Sequence, residues 1–175
     1  MGTLLMRAGL APGMAPESWN LENPSAVESI HAAYLEAGCR LIETNSFGAN
    51  RAKLERYRLG KRVREINFRA ASIARRVART KALVAGSIGP TGELMEPWGA
   101  LGFEDAYDIF AEQAEALADG GVDLIMVETM TDVQEARAAV LAAKDITGLP
   151  VVAQMSFEPS GRTLMGTSPP AMAGV

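Results

Sequence analysis

The stretch DLIMVETMTD, residues 123–132, decides the fold class of this chain. Leu124–Val127 is an unbroken apolar run, which is typical of a strand buried on both faces of a sheet. The run ends abruptly in Glu128 and Thr129, and polar side chains there are typical of the carboxyl end of a parallel strand, where α/β proteins bind ligands. Asp132 suits the N-cap of a following helix. The stretch therefore predicts a buried strand, a functional loop and a helix in succession.

The same alternation of strand and helix continues along the rest of the chain. Strands are predicted at residues 41–45, 82–87, 124–128 and 150–157, and helices at 24–38, 49–57, 59–81, 103–119 and 132–147. Apolar strands separated by helices predict a parallel sheet with crossover helices. Two architectures fit this pattern, a doubly wound sheet and a (β/α)8 barrel.

The length of the chain leaves room for only part of a barrel. A (β/α)8 barrel usually needs about 250 residues, whereas this chain has 175, which suits four strands, or five with the N-terminal segment. In the last stretch, SPPAMAGV at residues 168–175, Pro170 suits the first turn of a helix that is then cut off. We therefore expect one incomplete domain that spans residues 1–175.

The composition excludes several classes of protein. No apolar run approaches the roughly 18 to 20 residues of a membrane span. The N-terminal segment lacks the features of a secretory signal, so a cytoplasmic protein is expected. The single cysteine, Cys39, excludes an internal disulfide and a multi-cysteine metal site within the chain.

The charged residues are segregated along the chain. Most of the 17 lysines and arginines lie between Arg51 and Lys81, and no basic residue lies between Glu93 and Glu135. A basic segment serves either as a surface for nucleic acid or an acidic partner, or as the solvated face of a helix. Its apolar residues repeat at helical spacing and no aromatic platform accompanies them. The solvated face is therefore favoured, and no nucleic acid is expected.

Each predicted strand ends in polar residues, which converge on one ligand in a parallel sheet. The strand ends are Thr44-Asn45-Ser46, Gly86-Ser87, Glu128-Thr129 and Gln154–Ser156. A carboxylate in the place of Glu128 suits binding of a ligand ammonium, general base catalysis or metal coordination. The structural alternative is a glutamate that caps the next helix or pairs with a neighbouring arginine.

Three other conspicuous features are assigned structural roles. GSIGPTG, residues 86–92, matches neither GxGxxG nor GxxxxGK[ST], so a tight turn at the rim of the site is favoured over a phosphate loop. His31, the only histidine, lies in the first predicted helix away from the strand ends, which favours a packing or surface role. Cys39 precedes its strand, so a small buried residue at the opposite end of the sheet is expected.

Six stretches of the chain, in this order, resemble the homocysteine S-methyltransferase domain. They are MGTLL, NLENPSAVESIHAAYLEAGCRLIETNSFGANRAKL, VREIN, VAGSIGPTG, FAEQAEALADGGVDLIMVET and GRTLMGTSP. That domain occurs in methionine synthases, in betaine–homocysteine methyltransferase and in a bacterial fusion with methylenetetrahydrofolate reductase. The resemblance covers essentially the whole chain and implies a (β/α)8 barrel.

The resemblance also implies a chemistry. A zinc ion held by three cysteine thiolates binds the sulfur of homocysteine, which then takes a methyl group from a donor and becomes methionine. Glu128 matches a glutamate that helps to hold the amino group of the substrate. The other positions that match the pocket are Gly2, Thr3, Thr44, Asn45 and Ser87. The donor is open among methylfolate, methylcobalamin, betaine and S-methylmethionine.

Two departures from the family pattern affect the expected activity. The chain starts at Met1-Gly2-Thr3, so the DGA portion of the family's opening motif and the strand before it are missing. The zinc cysteines belong to the second half of the barrel and Cys39 matches none of them, so no metal ligand is expected in this chain. We expect it to be inactive alone and to be completed by the remaining half of the barrel or by another chain, with a homo-oligomer as one arrangement.

Two other functions also fit the residues. The chain could be a truncated, non-catalytic binding or assembly module that uses its basic helix. It could also be an unrelated α/β-barrel enzyme in which Glu128 is a base that acts on a phosphorylated small molecule.

Overall fold

A computed structural model describes the whole chain, Met1–Val175, as alternating strands and helices. The strands are β1 (Leu41–Glu43), β2 (Leu83–Ile88), β3 (Leu124–Met130) and β4 (Val151–Met155). The helices are α1 (Gly2–Arg7), α2 (Trp19–Glu22), α3 (Pro24–Glu36), α4 (Arg51–Glu55), α5 (Val63–Ala78), α6 (Phe103–Asp119), α7 (Val133–Thr147) and α8 (Pro169–Ala173), with 3-10 turns at Pro16–Ser18 and Gly60–Arg62. None of these helices is both long enough and apolar enough to cross a membrane.

The four strands form one parallel sheet in the order β1-β2-β3-β4. A doubly wound sheet reverses its strand order at a switch point, whereas here every strand pairs with the next strand along the chain. Parallel strands in sequential order, joined by helices, are the repeating unit of a (β/α)8 barrel. The predicted barrel class is therefore confirmed, and the sheet is part of such a barrel.

Helices cover one face of the sheet and form the main core with it. This core of 20 buried residues brings Ile42, Val84 and Ile125, one from each of the first three strands, together with Phe110 of α6. Small alanines of α5, α6 and α7 fill the remaining space and allow the helices to approach the sheet closely. Alternation along each strand directs the intervening side chains to the other face.

The other face of the sheet corresponds to the lumen of a complete barrel. Ala85, Leu124 and Met126 form a small cluster on this face, while Leu83 and Val152 are 52% and 41% exposed. The expectation of buried strands therefore holds for β2 and β3. It does not hold for the edge strands β1 and β4, each of which has one neighbour and is largely exposed.

The helix boundaries agree with the sequence predictions where a clear end signal is present. α6 has the predicted bounds, and Asp132 caps α7 by accepting hydrogen bonds from the backbone N–H groups of Gln134 and Glu135. Gly38 follows α3 with a φ of +94°, a conformation that favours glycine at a helix end. The N-terminal segment differs from the prediction, because it forms the helix α1 and not a fifth strand.

The segregated charges of the sequence meet across the contact between α5 and α6. Arg64 of α5 forms salt bridges with Glu115 and Asp119 of α6, and Arg75 pairs with Asp123. Such exposed bridges contribute on the order of 0–1 kcal/mol each to stability. They nevertheless neutralise arginines of the basic segment, which supports the interpretation of a solvated helix face.

The close approach of α5 to the end of α6 gives a test of this packing. A Cβ at Gly120 would lie 2.5 Å from the Cβ of Ala71 and 2.8 Å from the carbonyl oxygen of Phe68, although the φ of −77° suits any residue. We expect Gly120→Ala to lower the free energy of unfolding by about 1–3 kcal/mol, as overpacking does, in urea titrations. Gly174→Ala, where the nearest atom lies 3.7 Å away, is the matched control. Equal effects of the two substitutions would contradict the packing.

Candidate functional site

A cavity of about 440 Å³ lies along β1 and at the carboxyl ends of β1, β2 and β3. Five of the six predicted site residues line it: Glu128, Ser87, Thr44, Asn45 and Gly2. The sixth, Thr3, is exposed on α1 and lies outside the cavity lining. The parallel strand ends therefore bring most of the predicted residues to one place, as the sequence indicated.

The strand β3 is irregular at Glu128 and Thr129, where it reaches the cavity. The pairing of β3 with β4 is regular up to Val127 and shifts before Met130, and Thr129 has a φ of +61°. A left-handed backbone is unfavourable for a β-branched residue and is typical of functional sites, and bulges re-aim side chains beside active sites. The strand continues beyond its predicted end at Glu128, but its regular pairing is interrupted there.

The Glu128 carboxylate is held by a neighbour on β2 and has no basic partner. The Ser87 hydroxyl donates a hydrogen bond of 2.5 Å to Glu128 Oε1. No lysine or arginine forms a salt bridge with Glu128, and the next helix is capped by Asp132. Both structural alternatives for Glu128, a helix cap and an arginine pair, are therefore wrong.

Thr44 and Ser46 lie behind Ser87. Thr44 Oγ1 accepts a hydrogen bond of 3.0 Å from the backbone N–H of Ser87 and lies 2.5 Å from Ser46 Oγ. Ser46 Oγ donates to the carbonyl oxygen of Ser87 at 2.7 Å. All three residues are buried, so the two hydroxyls of the loop after β1 bind the backbone of β2.

Asn45 also binds other parts of the protein. Its side-chain Nδ2 donates to the carbonyl oxygen of Pro16 at 2.9 Å and to Asn20 Oδ1 at 3.1 Å. The Asn20 amide in turn donates to the carbonyl oxygen of Asn45 at 2.8 Å. The two asparagines thereby join the loop after β1 to the turn before α2. With both N–H groups used, Asn45 has only its side-chain oxygen left for a ligand.

Two further carboxylates line the cavity and were missed by the sequence analysis. Glu43 reaches it from β1, and Glu17 reaches it from the 3-10 turn, where it accepts a hydrogen bond of 2.7 Å from the Gly48 N–H. Burial raises the pKa of Glu17, and burial together with the nearby charge of Glu128 raises the pKa of Glu43. Strand alternation is a signal for Glu43, because it lies two residues after Leu41 and faces the same way. Glu17 lies in an irregular segment and has no such signal.

His31 lines the same cavity, which corrects its predicted distance from the strand ends. Because α3 packs against β1, the imidazole is only 1% exposed and lies among the cavity-lining residues. Burial lowers the pKa of His31 to about 4, so the side chain is neutral at physiological pH. Its buried Nε2 has no hydrogen-bond partner. The predicted packing role is therefore correct, but its location beside the site was not foreseen.

The cavity carries an excess of negative charge. The carboxylates of Glu17, Glu43 and Glu128 line it, and His31 is neutral. The terminal ammonium of Met1 lies near Glu43 and Lys53 lies near Glu17, whereas Glu128 forms no salt bridge. An uncompensated carboxylate in a partly buried site is stabilised by a ligand that brings a positive charge. The arrangement therefore suits a cationic group such as a primary ammonium.

Cys39 also lines the cavity, because the cavity extends along the open edge of β1 towards the amino end of that strand. The thiol is partly exposed, which corrects the prediction of a buried residue. Cys39 does lie before β1, at the amino end of that strand, as predicted. No three His, Cys, Asp or Glu side chains are grouped so that they could hold a metal ion. The three-thiolate zinc site that the resemblance implies therefore does not fit the residues of this chain.

The glycine-rich turn of residues 86–92 binds a carboxylate of the protein itself. Thr91 donates to Glu135 Oε1 from its backbone N–H at 2.7 Å and from its hydroxyl at 2.6 Å. Gly89 lies against the Phe47 ring, where a Cβ would come within 2.5 Å of the ring. Because Glu135 already occupies the donors of the turn and would repel a second anion, the turn agrees with the predicted rim and not with a phosphate loop.

The fold is a partial (β/α) barrel with an acidic cavity at the carboxyl ends of its strands. The whole chain, residues 1–175, matches the sequence model of the family described as homocysteine S-methyltransferase. The methionine synthases of Mycobacterium leprae and Mycobacterium tuberculosis are each 35% identical to it over 162 residues. The chain belongs to the homocysteine S-methyltransferase family. The match covers 86% of this chain but only 13% and 14% of the length of the two enzymes.

Solved structures show the same fold. The metallated form of the homocysteine methyltransferase MmuM from Escherichia coli superposes with a TM-score of 0.86 at 21% identity, over 99% of this chain and 67% of that one. Its oxidized form gives a TM-score of 0.83 at 22% identity, over 96% and 64%. At this identity the likeness concerns the fold, and the chain corresponds to about two thirds of the E. coli protein.

The buried imidazole of His31 makes stability depend on pH in a predictable direction. Because the folded pKa of about 4 lies below the ordinary 6.5, the unfolded chain binds the proton first as the pH falls. The folded state therefore loses stability between those two pH values. Between pH 7 and about pH 4.5, we expect the free energy of unfolding of His31→Leu to fall by about 2 kcal/mol less than that of the wild-type chain. Urea titrations at both pH values measure this difference.

Ile30→Val, at the neighbouring position of α3, controls for a general loss of packing. It introduces and removes no titratable group, so it should keep the pH dependence of the wild-type chain. An unchanged pH dependence in His31→Leu would contradict the lowered pKa.

The absence of a three-ligand group gives a second prediction about the site. One thiolate does not supply the four-coordinate environment of tight zinc sites. We expect the purified and dialysed chain to retain far less than one zinc ion per molecule by mass spectrometry of the metal, and Cys39→Ser to retain the same amount. Stoichiometric zinc that disappears in Cys39→Ser would show that Cys39 is a metal ligand after all.

Proposed function

We propose that this chain binds homocysteine and takes part in its S-methylation to methionine. The observation that carries the proposal is the Glu128 carboxylate, which lines the cavity, is fixed at one oxygen by Ser87 and has no basic partner in the chain. An α-ammonium group has three N–H donors and a positive charge, so it supplies the counter-charge that Glu128 lacks. Family membership and relatives named methionine synthase support homocysteine as the amino acid.

In the proposed reaction, this chain binds the substrate, and groups outside the chain activate the substrate thiol. The homocysteine thiol loses its proton, the sulfur forms a bond to the methyl carbon, and the bond between that carbon and the donor breaks. The products are methionine and the demethylated donor. In this scheme the chain binds and orients the amino acid end through Glu128. Activation of the thiolate falls to groups outside the chain, since its own residues do not form a metal site.

The methyl donor stays open in this proposal. Methylfolate, methylcobalamin, betaine and S-methylmethionine are the four candidates that the family offers. The chain spans 13% of the length of the Mycobacterium leprae enzyme, so we assign donor recognition to parts outside the matched segment.

We further propose that additional β/α units complete the barrel around this site. β1 and β4 each have only one neighbour in the sheet, and the lumen face leaves Leu83 and Val152 exposed. Natural proteins normally pair or cover such edges and faces. The units come from a longer polypeptide that contains this segment, from another chain or from a second copy in a homo-oligomer. We expect no methyl transfer by these 175 residues without them.

The other two candidate functions lack a supporting observation. A phosphorylated substrate is disfavoured because Glu135 occupies the glycine-rich turn and because three carboxylates line the cavity. An assembly module that uses the basic helix is disfavoured because Arg64 of α5 already pairs with Glu115 and Asp119 of α6, and Arg75 pairs with Asp123.

Removal of the charge of Glu128 tests the proposal. We expect Glu128→Gln to weaken the binding of L-homocysteine by about ten- to a hundredfold, the range expected for a lost hydrogen bond between charged groups. Binding of 4-mercaptobutanoate, which lacks the α-ammonium, should stay nearly unchanged. Titrations followed by NMR of the 15N-labelled chain, under reducing conditions, measure both dissociation constants.

Glu104→Gln, an equal change of charge at an exposed position of α6, is the control and should affect neither ligand. Two results would contradict the proposal that Glu128 recognises the ammonium. One is equal binding of homocysteine and 4-mercaptobutanoate by the wild-type chain, and the other is an equal loss of affinity for both ligands in Glu128→Gln.

A further inference from the structure

Three buried hydroxyls form a closed set of hydrogen bonds behind the Glu128 carboxylate. Ser87 donates its side-chain proton to Glu128 Oε1 at 2.5 Å. The backbone of the same serine is bound on both sides, since its N–H donates to Thr44 Oγ1 at 3.0 Å and its C=O accepts from Ser46 Oγ at 2.7 Å. The Thr44 and Ser46 hydroxyl oxygens are 2.5 Å apart. We refer to Thr44, Ser46 and Ser87 as the hydroxyl relay.

The count of protons fixes the direction of every bond in the hydroxyl relay. A serine or threonine hydroxyl has one proton to donate. Ser46 gives its proton to the carbonyl oxygen of Ser87, so in the contact between Thr44 and Ser46 the proton comes from Thr44. Thr44 Oγ1 is then free to accept the Ser87 N–H, and the Ser87 hydroxyl proton is left for Glu128. All donors are used, and each points in one direction only.

The hydroxyl relay is anchored to the helix layer beneath the sheet. The fully buried Gln113 of α6 donates from Nε2 to the carbonyl oxygen of Ser46 at 2.8 Å and lies 3.2 Å from Asn67 Oδ1 on α5. Asn67 in turn donates to the carbonyl oxygen of Ala49 at 2.8 Å. Gln113 Oε1 has no partner, but the donors of this network are all used, and loss of any of these bonds leaves a further unpaired group away from water. The backbone on both sides of the relay is therefore held in place.

We propose that Thr44 and Ser46 are positioning residues, which orient Glu128 through Ser87 so that its second carboxylate oxygen is presented to the α-ammonium of the bound amino acid. The proposal rests on the proposed function, because it concerns the same recognition of an ammonium group. It assigns Thr44 a role different from direct contact with the substrate. Thr44 lines the cavity, but its hydroxyl is bound to Ser46 and to the N–H of Ser87. The distinctive claim is that a methyl-for-hydroxyl change at Thr44 alters the choice between an amino acid and its deamino analogue by reorienting Ser87.

Ser87 can orient Glu128 only if its own hydroxyl points in one direction. A serine hydroxyl rotates freely among staggered positions unless neighbours restrict it, and a carboxylate held by a rotating donor has no fixed direction. Thr44 binds the N–H of Ser87, and Ser46 binds the C=O of Ser87. The backbone of Ser87 is therefore held in one position, from which the Ser87 hydroxyl reaches Glu128. Pre-organisation of this kind lowers the entropy lost when a ligand binds.

The experiment compares four variants by the ratio of two dissociation constants, that of 4-mercaptobutanoate over that of L-homocysteine. We expect Ser87→Ala to lower this ratio by about tenfold or more, because a bond to a charged group is lost. Thr44→Val, which keeps the shape and removes the hydroxyl, should lower it by about threefold to tenfold. Thr44→Ser restores the hydroxyl and should return the ratio to the wild-type value. Thr147→Val, which removes a hydroxyl bonded to the Ala143 carbonyl far from the cavity, is the matched control.

Thermal unfolding of each variant separates loss of fold from loss of orientation. Thr147→Val and Thr44→Val each remove a hydroxyl that makes two hydrogen bonds. A merely structural role of Thr44 therefore predicts similar stability and an unchanged ratio in both. A lowered ratio in Thr44→Val that Thr44→Ser restores supports the hydroxyl relay. An unchanged ratio in folded Thr44→Val, while Glu128→Gln abolishes discrimination, overturns the positioning role whatever the effect of Ser87→Ala, and leaves the proposed function intact. Discrimination that survives in Glu128→Gln overturns both.

Discussion

Parallel pairing of the strands in sequential order is the constraint on which the candidate site depends. It places the carboxyl ends of β1, β2 and β3 at the same end of the sheet. Ser87 therefore lies within hydrogen-bond distance of Glu128, although 41 residues separate them. Side-chain alternation directs one set of residues on each strand towards the helices and the other set towards the lumen. The lumen-facing set is apolar along most of β2 and β3 and becomes polar at Ser87 and Glu128, near the carboxyl ends. The packing of the core and the chemistry of the cavity thus follow from the same backbone arrangement.

The polar groups around the cavity differ in how completely the protein satisfies them. The hydroxyls of Thr44, Ser46 and Ser87 and the amide of Asn45 bind other parts of the chain. The carboxylate of Glu128 has only one such bond and no counter-charge. Because buried polar groups in proteins are normally paired, the incompletely paired Glu128 is the group that we propose binds a ligand, while the hydrogen-bonded hydroxyls belong to the frame around it.

Local sequence signals predicted most of the fold and part of the site. The bounds of α6 and the cap at Asp132 follow from periodicity and capping chemistry, which act within a few residues. Glu128 was found because an apolar strand ended in a charge. Thr44 was also found from its place after a strand, yet position along a strand does not reveal whether a hydroxyl binds a ligand or the neighbouring strand. Roles of this kind depend on distances between elements.

The sequence by itself determined the parallel α/β class and the order of strands and helices, and it predicted the position of Glu128 at a strand end, because hydrophobic period and end signals are properties of short segments. Only the tertiary structure decided that Glu17, Glu43 and His31 share a cavity with it, and that β4 is exposed at an open edge. Burial, charge balance and hydrogen-bond partners arise from residues far apart in the chain. No local pattern encodes them, since they exist only once the strands pair and the helices pack.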